Sequence, residues 1–277
     1  MSRENKFRKL SILFLIDELW FKGGTENHLF ELAKGMSKKG HTVFVRTFWE
    51  GEFGRSFRAI ESVDYDHINA KNIFSFKGIM AIFQISALIR KYNIEILQTY
   101  HTASDLCGPI IAIMANRGTT VISSRRDTGY TKTYRHIQVQ KKLNRFVDKI
   151  LANSSAVKLS VQDQEGVSSD KVEIIYNGLH MEPFMNVNEE KKRKFREMFH
   201  IPSGSILIGS VGNIRPIKGF ETMVEVAGVL CRIYPKIHFL HAGADSPELN
   251  LGGLCNTLSI ADRFSFLGKI NNIPDFL

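Results

Sequence analysis

Cysteine is scarce in this sequence and follows no pairing or metal-binding pattern. The 277 residues contain three cysteines, Cys107, Cys231 and Cys255, and no two of them form a Cys-x-x-Cys pair. Disulfide-rich domains and structural zinc sites both need cysteines at short, regular spacings. The sequence therefore disfavours both classes and predicts buried free thiols in a reducing cytoplasm.

Long apolar runs are also missing. The longest one, residues 78–89, is interrupted by Gln84 and Ser86 and is shorter than the ~20 residues of a membrane-spanning helix. A second run, residues 10–16, follows basic residues as in a signal peptide, but Asp17 ends it and no small-residue cleavage site comes after it. We therefore interpret residues 10–16 as a buried parallel strand, and we predict no transmembrane segment.

The glycine pattern of a dinucleotide site is absent as well. No Gly-x-Gly-x-x-Gly follows the first predicted strand, and no acidic residue closes the second, at residues 45–48, where a ribose would need one. A nicotinamide-dependent oxidoreductase is therefore disfavoured. Nucleic-acid binding has only the positive charge in its favour, because the basic residues are not interleaved with an aromatic platform.

Positive charge is present in excess and is concentrated in one stretch. The net charge is +9, and eight basic residues between Arg125 and Lys149 face only Asp127 and Asp148. Tyr130 and other apolar residues lie between these cations, as in helices that rest on anionic bilayers. The stretch predicts peripheral contact with an anionic membrane or an anionic substrate, and a plain solvated helix face is the alternative.

Short apolar runs alternate with helix-length segments along the first 185 residues. Such alternation is typical of a parallel sheet with helices on both faces, which predicts an α/β, doubly wound first domain. The predicted strands are residues 12–16, 42–48, 94–99, 120–123, 149–152 and 172–176, and the predicted helices cover 27–39, 77–92, 105–116, 130–146 and a segment from Ser154.

The same alternation restarts after a charged segment at residues 188–198, so we predict a domain boundary near residue 185. The second series comprises strands at 206–211, 237–242 and 264–267 and helices at 220–233 and 247–258, with another helix opening at Ile273. Two such domains, residues 1–185 and 186–277, would face a cleft. Three strands are few for a domain of this kind, so we expect roughly a hundred further residues in a complete second domain.

Two loops of the first domain are suited to sugars and phosphates. Gly23 and Gly24 lie between the first strand and the first helix, where backbone amides can approach an anion closely, and Glu26 follows them. His101 lies just past the carboxyl end of a strand, where ligands of doubly wound sheets bind. A simple strand-to-helix turn and a structural histidine are the alternatives.

The loop at residues 212–219 is the strongest candidate in the second domain. Arg215 and Lys218 stand three residues apart in a turn stiffened by Pro216, and the turn leads into a helix. Two cations in this arrangement can hold the two phosphates of a nucleoside diphosphate. The alternative is an exposed turn with incidental charges.

Taken in order, these motifs resemble those of family 4 glycosyltransferases. The resemblance rests on four segments and covers nearly the whole chain. They are Gly23-Gly24-Thr25-Glu26, the strand leading into Asn177-Gly178-Leu179-His180, the loop from Val211-Gly212 to Lys218-Gly219, and Leu240-His241-Ala242-Gly243-Ala244.

The resemblance implies the GT-B fold, a retaining mechanism, and a role for each matched residue. Gly23, Gly24 and Glu26 would lie near the donor phosphates and the acceptor, and His101 would close over the transferred sugar. Arg215 and Lys218 would neutralise the diphosphate leaving group. The family often has Arg directly after the glycine where this chain has Asn213, so Arg215 must serve with Lys218. Gly243 would border the same donor site.

The resemblance further implies a nucleotide-diphosphate sugar donor, with UDP as the commonest carrier, and cationic side chains in place of a metal ion. The acceptor would be a glycan or a lipid-linked sugar in surface polysaccharide synthesis, and the enzyme would be cytoplasmic or peripheral to the membrane. The family's pair of glutamates that holds the donor belongs beyond Leu277. We therefore expect this chain alone to be inactive, and the alternative function is a non-catalytic nucleotide-sugar-binding remnant.

Overall fold

The computed structural model describes residues 8–185, 188–270 and 272–277. The chain divides into two compact units, Met1–Gly178 and Leu179–Leu277. The sequence prediction places the domain boundary near residue 185, whereas this division puts the short helix Glu182–Met185 in the second unit.

A seven-stranded, fully parallel sheet forms the centre of the first unit, and helices cover both of its faces. The strand order is 3-2-1-4-5-6-7, so the direction of winding reverses between the first and the fourth strand. The strands are β1 Ser11–Glu18, β2 Thr42–Trp49, β3 Val63–His67, β4 Ile96–Tyr100, β5 Thr120–Arg125, β6 Lys149–Ala152 and β7 Val172–Ile174. The helices are α1 Gly24–Lys38, α2 Phe76–Tyr92, α3 Thr102–Ala115, α4 Tyr134–Leu143 and α5 Ser155–Glu165.

The central strand β1 is buried on both faces. Its apolar residues are contiguous, so apolar side chains point to both sides of the sheet. Leu13 and Leu15 pack on one side with residues of α2 and α3, and Phe14 and Ile16 pack on the other side with Leu29 of α1. Unbroken apolar runs of this kind are what a parallel sheet between two helical layers requires. The predicted α/β class is thereby confirmed.

The sequence prediction missed two elements between β2 and α2. A 3-10 helix spans Glu52–Ala59, and the edge strand β3 follows it. Only Tyr65 of β3 is buried, because an edge strand packs against the rest of the sheet on one side only. Its sequence, Val-Asp-Tyr-Asp-His, therefore lacks the apolar run by which the other strands are recognised.

The second unit contains a smaller parallel sheet of three strands in the order β10-β9-β8. Its elements are α6 Glu182–Met185, α7 Glu189–Met198, β8 Ile206–Val211, α8 Phe220–Ile233, β9 Ile237–Ala242, α9 Leu251–Thr257, β10 Phe264–Phe266 and α10 Ile273–Phe276. The predicted strand and helix at 206–211 and 220–233 match β8 and α8, and the charged segment after Asn188 forms a helix capped by that residue.

All three cysteines are buried and free, as predicted. Across the parts of the chain that the structure describes, no helix combines the length and the apolar character that crossing a bilayer demands.

A buried network of charges links α3, β5 and α5. Arg125 forms ion pairs with Asp105 and with Glu165, and Glu165 also binds Lys132 at 2.6 Å. Burial alone would raise the pKa of Glu165, but Arg125 and Lys132 outweigh it and lower that pKa to about 2. Four charges of alternating sign therefore neutralise one another inside the first unit.

We predict that Asp105→Ala lowers the free energy of unfolding by about 3–5 kcal/mol, because it leaves an uncompensated positive charge in the interior. Urea denaturation followed by circular dichroism measures the change. The control is Glu173→Ala, which removes the partner of Lys149 in a solvent-exposed pair and should leave the free energy of unfolding close to that of the parent. Equal losses in the two variants would contradict a structural role for the network.

The sheet of the second unit contains a buried ionisable side chain, His241. Its side chain is fully buried in β9, its Nδ1 lies 2.8 Å from Ser210 Oγ, and Phe220 packs edge-on against the ring. Burial lowers the pKa of His241 below its ordinary value of 6.5. The folded chain therefore holds this imidazole in its neutral form.

We predict that the stability contributed by neutral His241 is lost as the pH falls below 6.5, since the unfolded chain takes up a proton there that the folded chain does not. Urea denaturation at about pH 7.5 and about pH 5.5 measures this loss. His241→Gln should reduce the difference in stability between the two pH values. An unchanged difference in the His241 variant would show that other groups are responsible.

Candidate functional site

In the first unit, the candidate site lies at the carboxyl edge of the sheet, on both sides of the β1/β4 reversal. The loop after β1 leads through Gly23 into α1, and the loop after β4 is His101 itself, which directly precedes α3. In open α/β sheets this is where ligands bind, because the loops diverge and leave a crevice. The sequence-predicted Gly23, Gly24, Glu26 and His101 are thus gathered at one edge.

Glu26 and His101 approach each other across this edge. Their closest atoms, Glu26 Oε1 and His101 Nε2, are 4.0 Å apart, and both side chains are largely but not fully covered. The backbone of His101 has φ +70°, a conformation that a non-glycine residue adopts at a cost of about 1–3 kcal/mol. Holding this histidine at the end of β4 therefore lowers the stability of the fold.

Asp17, at the end of β1, secures the turn that carries His101. Its carboxylate accepts hydrogen bonds from the backbone N–H groups of Ala103 at 2.9 Å and Ser104 at 2.7 Å, and from the Ser104 hydroxyl at 2.6 Å. Burial raises the pKa of Asp17, and the Ser104 hydrogen bond and the nearby His101 act in the opposite direction. Sequence reasoning used Asp17 only as the end of an apolar run and did not assign it to the site.

A pocket of about 360 Å³ opens at this edge. Asp17, His101 and Asp127 supply polar groups to its wall, and Trp49, Lys71 and Ile73 supply an aromatic face, a cation and an aliphatic side chain. Its volume lies in the range of small-molecule sites, and more than half of its lining residues are polar or charged.

The two loop glycines differ in what a side chain would meet. A Cβ on Gly23 would overlap the carboxylate of Glu26, whereas a Cβ on Gly24 would meet no atom within 4 Å among the described residues. The backbone at Gly24 is therefore open to a ligand, and the Glu26 carboxylate occupies the space that a side chain at position 23 would need.

Arg126 and His28 also lie at this edge and were missed by sequence reasoning. Arg126 directly follows β5 and donates to Asn177, and its Nε has no hydrogen-bond partner within the part of the chain that the structure describes. Burial and then the nearby Arg126 lower the pKa of His28 to about 4. Two adjacent arginines at the end of a buried strand were the available signal, but the basic stretch that they begin concealed it.

In the second unit, the loop after β8 is closed against the loop after β9 by backbone hydrogen bonds. Gly212 donates to Ala242 O at 2.9 Å, Ile214 donates to Ala244 O at 2.9 Å, and Asn213 Oδ1 accepts from Ala244 N at 3.1 Å. Gly243 donates in turn to Gly268 O at 2.9 Å. The sequence-predicted Asn213 and Gly243 therefore act together to shape one loop pair.

Arg215 and Lys218 lie at the two ends of a short 3-10 turn beyond this closure. The N–H of Lys218 donates to Arg215 O at 2.9 Å, and both side chains are exposed. Gly219 follows with φ +68° and starts α8. The backbone thus holds the two cations three residues apart beside a helix N-terminus, where an anion is favoured.

The chain does contain an Asp-x-Asp sequence, Asp64-Tyr65-Asp66, which is a common metal-binding pattern in sugar transfer. The structure places it in the edge strand β3, with Asp64 Oδ1 bonded to Arg46 at 2.9 Å. The expectation of a metal-free site therefore depends on Arg215 and Lys218.

The basic stretch from Arg125 to Lys149 is not one exposed patch. Arg125 is buried in the charge network, Lys132 is bound to Glu165, and Lys149 is paired with Glu173. Ile137 and Leu143, two of the apolar residues between the cations, are half-buried. Besides Lys149, the exposed cations of the stretch belong to α4 and a residue shortly after it, namely Arg135, Lys141, Lys142 and Arg145.

We predict that Gly243→Ala destabilises the second unit by about 1–3 kcal/mol or more, because its Cβ would overlap the carbonyl oxygen of Gly212. Chemical denaturation provides the measurement. Gly252→Ala is the matched control, since a Cβ there meets nothing within 4 Å and alanine favours the helix by about 0.5–1 kcal/mol. A Gly243 variant as stable as the parent would show that the two loops are not closely packed.

Comparison with known proteins finds relatives among glycosyltransferases. The chain is 23% identical to a subunit of the phosphatidylinositol N-acetylglucosaminyltransferase of Arabidopsis thaliana over 274 residues, which are 95% of this chain and 58% of that protein. It is 28% identical to the O-antigen biosynthesis glycosyltransferase WclY of Escherichia coli over 109 residues, which are 39% and 29% of the two chains. The chain thus spans somewhat more than half the length of the plant relative.

A solved structure shows the same fold. The protein HepE of Anabaena, crystallised in complex with UDP, superposes with a TM-score of 0.80 over 96% of this chain and 71% of that chain, at 19% identity. The same protein has been crystallised with UDP-glucose, and that structure superposes with a TM-score of 0.78. The sequence model of Glycosyltransferase Family 4 matches residues 22–182, which include the Gly23 loop and His101. The chain belongs to Glycosyltransferase Family 4.

Proposed function

We propose that this chain provides the donor and acceptor sites of a retaining glycosyltransferase that uses a nucleotide-diphosphate sugar. The observation that carries the proposal is the closed loop pair of the second unit, which presents Arg215 and Lys218 beside the start of α8. The UDP and UDP-glucose complexes of HepE support a donor of this class. UDP is the carrier we propose.

The role of the two cations follows from the charge that develops in the reaction. When the bond between sugar and phosphate breaks, negative charge grows on the leaving diphosphate. Donors held in place before the reaction stabilise that charge without reorganising. Arg215 offers a fork of N–H groups to phosphate oxygens, and Lys218 offers a point charge. We propose that this pair takes the place of a metal ion.

The first unit would hold the acceptor and the transferred sugar. His101, fixed in position by Asp17, would contact the sugar, and Glu26 would orient His101 or bind a hydroxyl group. The backbone at Gly24 is open to a ligand. The pocket beside His101 would receive the acceptor. We propose a glycan or a lipid-linked sugar as the acceptor, in the synthesis of a surface polysaccharide, and the similarity to WclY supports that pathway class.

The proposed location is the cytoplasm, with peripheral contact to the membrane. The exposed cations of the stretch from Arg125 to Lys149 would attract an anionic headgroup layer. Arg125 itself takes no part in such a contact because it is buried.

We predict that Arg215→Ala combined with Lys218→Ala weakens UDP binding about a hundredfold or more, since each cation contributes a charge-assisted hydrogen bond of about 1.5–3 kcal/mol. Isothermal titration calorimetry of the 277-residue chain measures the affinity. The control is Arg232→Ala, which removes an exposed cation near the end of α8.

Equal affinity in the double variant and the parent would refute the assignment of the pair. UDP binding together with sugar transfer from a UDP-sugar would establish the enzyme. Sugar transfer is the result that decides between the enzyme and the alternative of a non-catalytic nucleotide-sugar-binding protein, because UDP binding by this chain is expected of both.

A further inference from the structure

Helix α2 is apolar on the side that faces away from the sheet. Its inner face packs Ala81, Ile85 and Ile89 into the core. On the outside, residues at helical spacing form an apolar stripe in which every side chain is at least 41% exposed. A surface helix normally turns polar residues to water, so an outer apolar stripe marks an interaction surface. The outer stripe consists of Phe76, Ile79, Met80 and Phe83, and Phe74 just before the helix is 75% exposed.

The two helices next to α2 extend this surface. Helix α3 packs beside α2, and α4 packs beside α3. Ile110 and Ile113 are exposed on α3, and Tyr134 and Val139 are exposed on α4. We call the outer sides of these three helices the α2–α3–α4 surface.

The charge of the α2–α3–α4 surface has a single sign. The sequence has no acidic residue from His67 to Ile94, and the three helices together contain one, Asp105, which is buried with Arg125. The exposed charged side chains of these helices are therefore all cations. They are Lys77, Arg90, Lys91, Arg135, Lys141 and Lys142.

We propose that the α2–α3–α4 surface docks on an anionic lipid bilayer, an inference that rests on the peripheral membrane contact of the proposed function and extends it to α2 and α3. The phenylalanines and aliphatic residues of the outer stripe would enter the boundary between headgroups and acyl chains. The surrounding lysines and arginines would contact anionic headgroups. Both features are needed, because neither a few exposed apolar residues nor a few cations alone gives firm membrane binding.

A second copy of this chain is a poorer occupant for the same surface. A symmetric dimer would bring the same patch of two molecules together, and each patch carries only positive exposed charge on its helices. The repulsion between them would oppose the association. A lipid surface of opposite charge has no such conflict.

The position of α2 connects the docking surface to the pocket of the first unit. Lys71 and Ile73 line that pocket, and the first residue of the outer stripe, Phe76, follows three residues later at the start of α2. A bilayer in contact with Phe74 and Phe76 would therefore lie beside the mouth of the pocket. Docking of this kind favours an acceptor that is itself anchored in the membrane.

The experiment is flotation of the purified 277-residue chain with vesicles of phosphatidylcholine alone or mixed with phosphatidylglycerol. The test variant is Ile79→Glu with Phe83→Glu, two exposed positions four residues apart on α2. Its matched control is Val229→Glu with Ile233→Glu, which are 55% and 60% exposed at the same spacing on α8. A neutral variant, Ile79→Gln with Phe83→Gln, separates loss of insertion from added negative charge.

We expect the parent and the α8 control to float with the anionic vesicles and to remain unbound with the neutral ones. The Ile79→Glu/Phe83→Glu variant should lose binding about tenfold or more, and the glutamine variant should lose a smaller part. Circular dichroism melts establish that the variants are folded.

A parent that does not float, or α2 variants that float like the parent, would overturn the proposal. A dimer that light scattering detects in the parent and that dissociates in the α2 variants would also overturn the proposal, because a second copy would then occupy the surface. The docking proposal can fail while UDP binding persists, since Arg215 and Lys218 are unchanged in every one of these variants.

Discussion

The carboxylate of Asp17 joins β1 to the first turn of α3 across the point where the strand order of the first sheet reverses. Two hydrogen bonds, from the backbone N–H groups of Ala103 and Ser104, satisfy orphan donors of the helix N-terminus, and a third from the Ser104 hydroxyl also holds the helix against the strand. Because His101 is the residue immediately before α3, the same contacts maintain its strained backbone. The polar edge of the first unit is organised around this connection.

In the second unit, the loops are held mainly by backbone contacts and by one side-chain hydrogen bond. The loops after β8 and β9 are so close that position 243 has no room for a side chain, and Asn213 completes the closure with its amide oxygen. This packing requires glycine at position 243. It also gives the turn that carries Arg215 and Lys218 a rigid support, and cations held rigidly can stabilise a charge that develops during a reaction.

Charge is divided between two very different environments in the first unit. Arg125, Lys132, Asp105 and Glu165 neutralise one another in the interior, where an unpaired charge would be costly. The outer helices α2 and α4 carry cations and contain no acidic residue in their sequences. The outer stripe of α2 adds apolar area to the same side, and the combination distinguishes this surface from α8, where Glu221 and Glu225 accompany the exposed apolar residues.

The sequence by itself determined the strands that are buried on both faces, the helices between them, and the order of the loops that follow. These features are local, because an apolar run such as residues 12–16 or an amphipathic segment such as 220–233 carries its own signal. The edge strand β3 gave no such signal, since only Tyr65 is buried there. The candidate residues Gly23, Gly24, Glu26, His101, Arg215 and Lys218 were also recognisable, because glycine pairs, cation pairs and residues at strand ends form patterns along the chain.

Only the tertiary structure decided which polar residues belong together and which charges face water. Asp17 and Ala103 are 86 positions apart, and Arg125 and Glu165 are 40 apart, so no sequence pattern connects them. Arg125 and Arg126 are adjacent, yet the first lies in the buried network and the second lies at the edge of the site. Alternation along a strand sends neighbouring side chains to opposite faces, and what each face meets depends on the packing of distant segments.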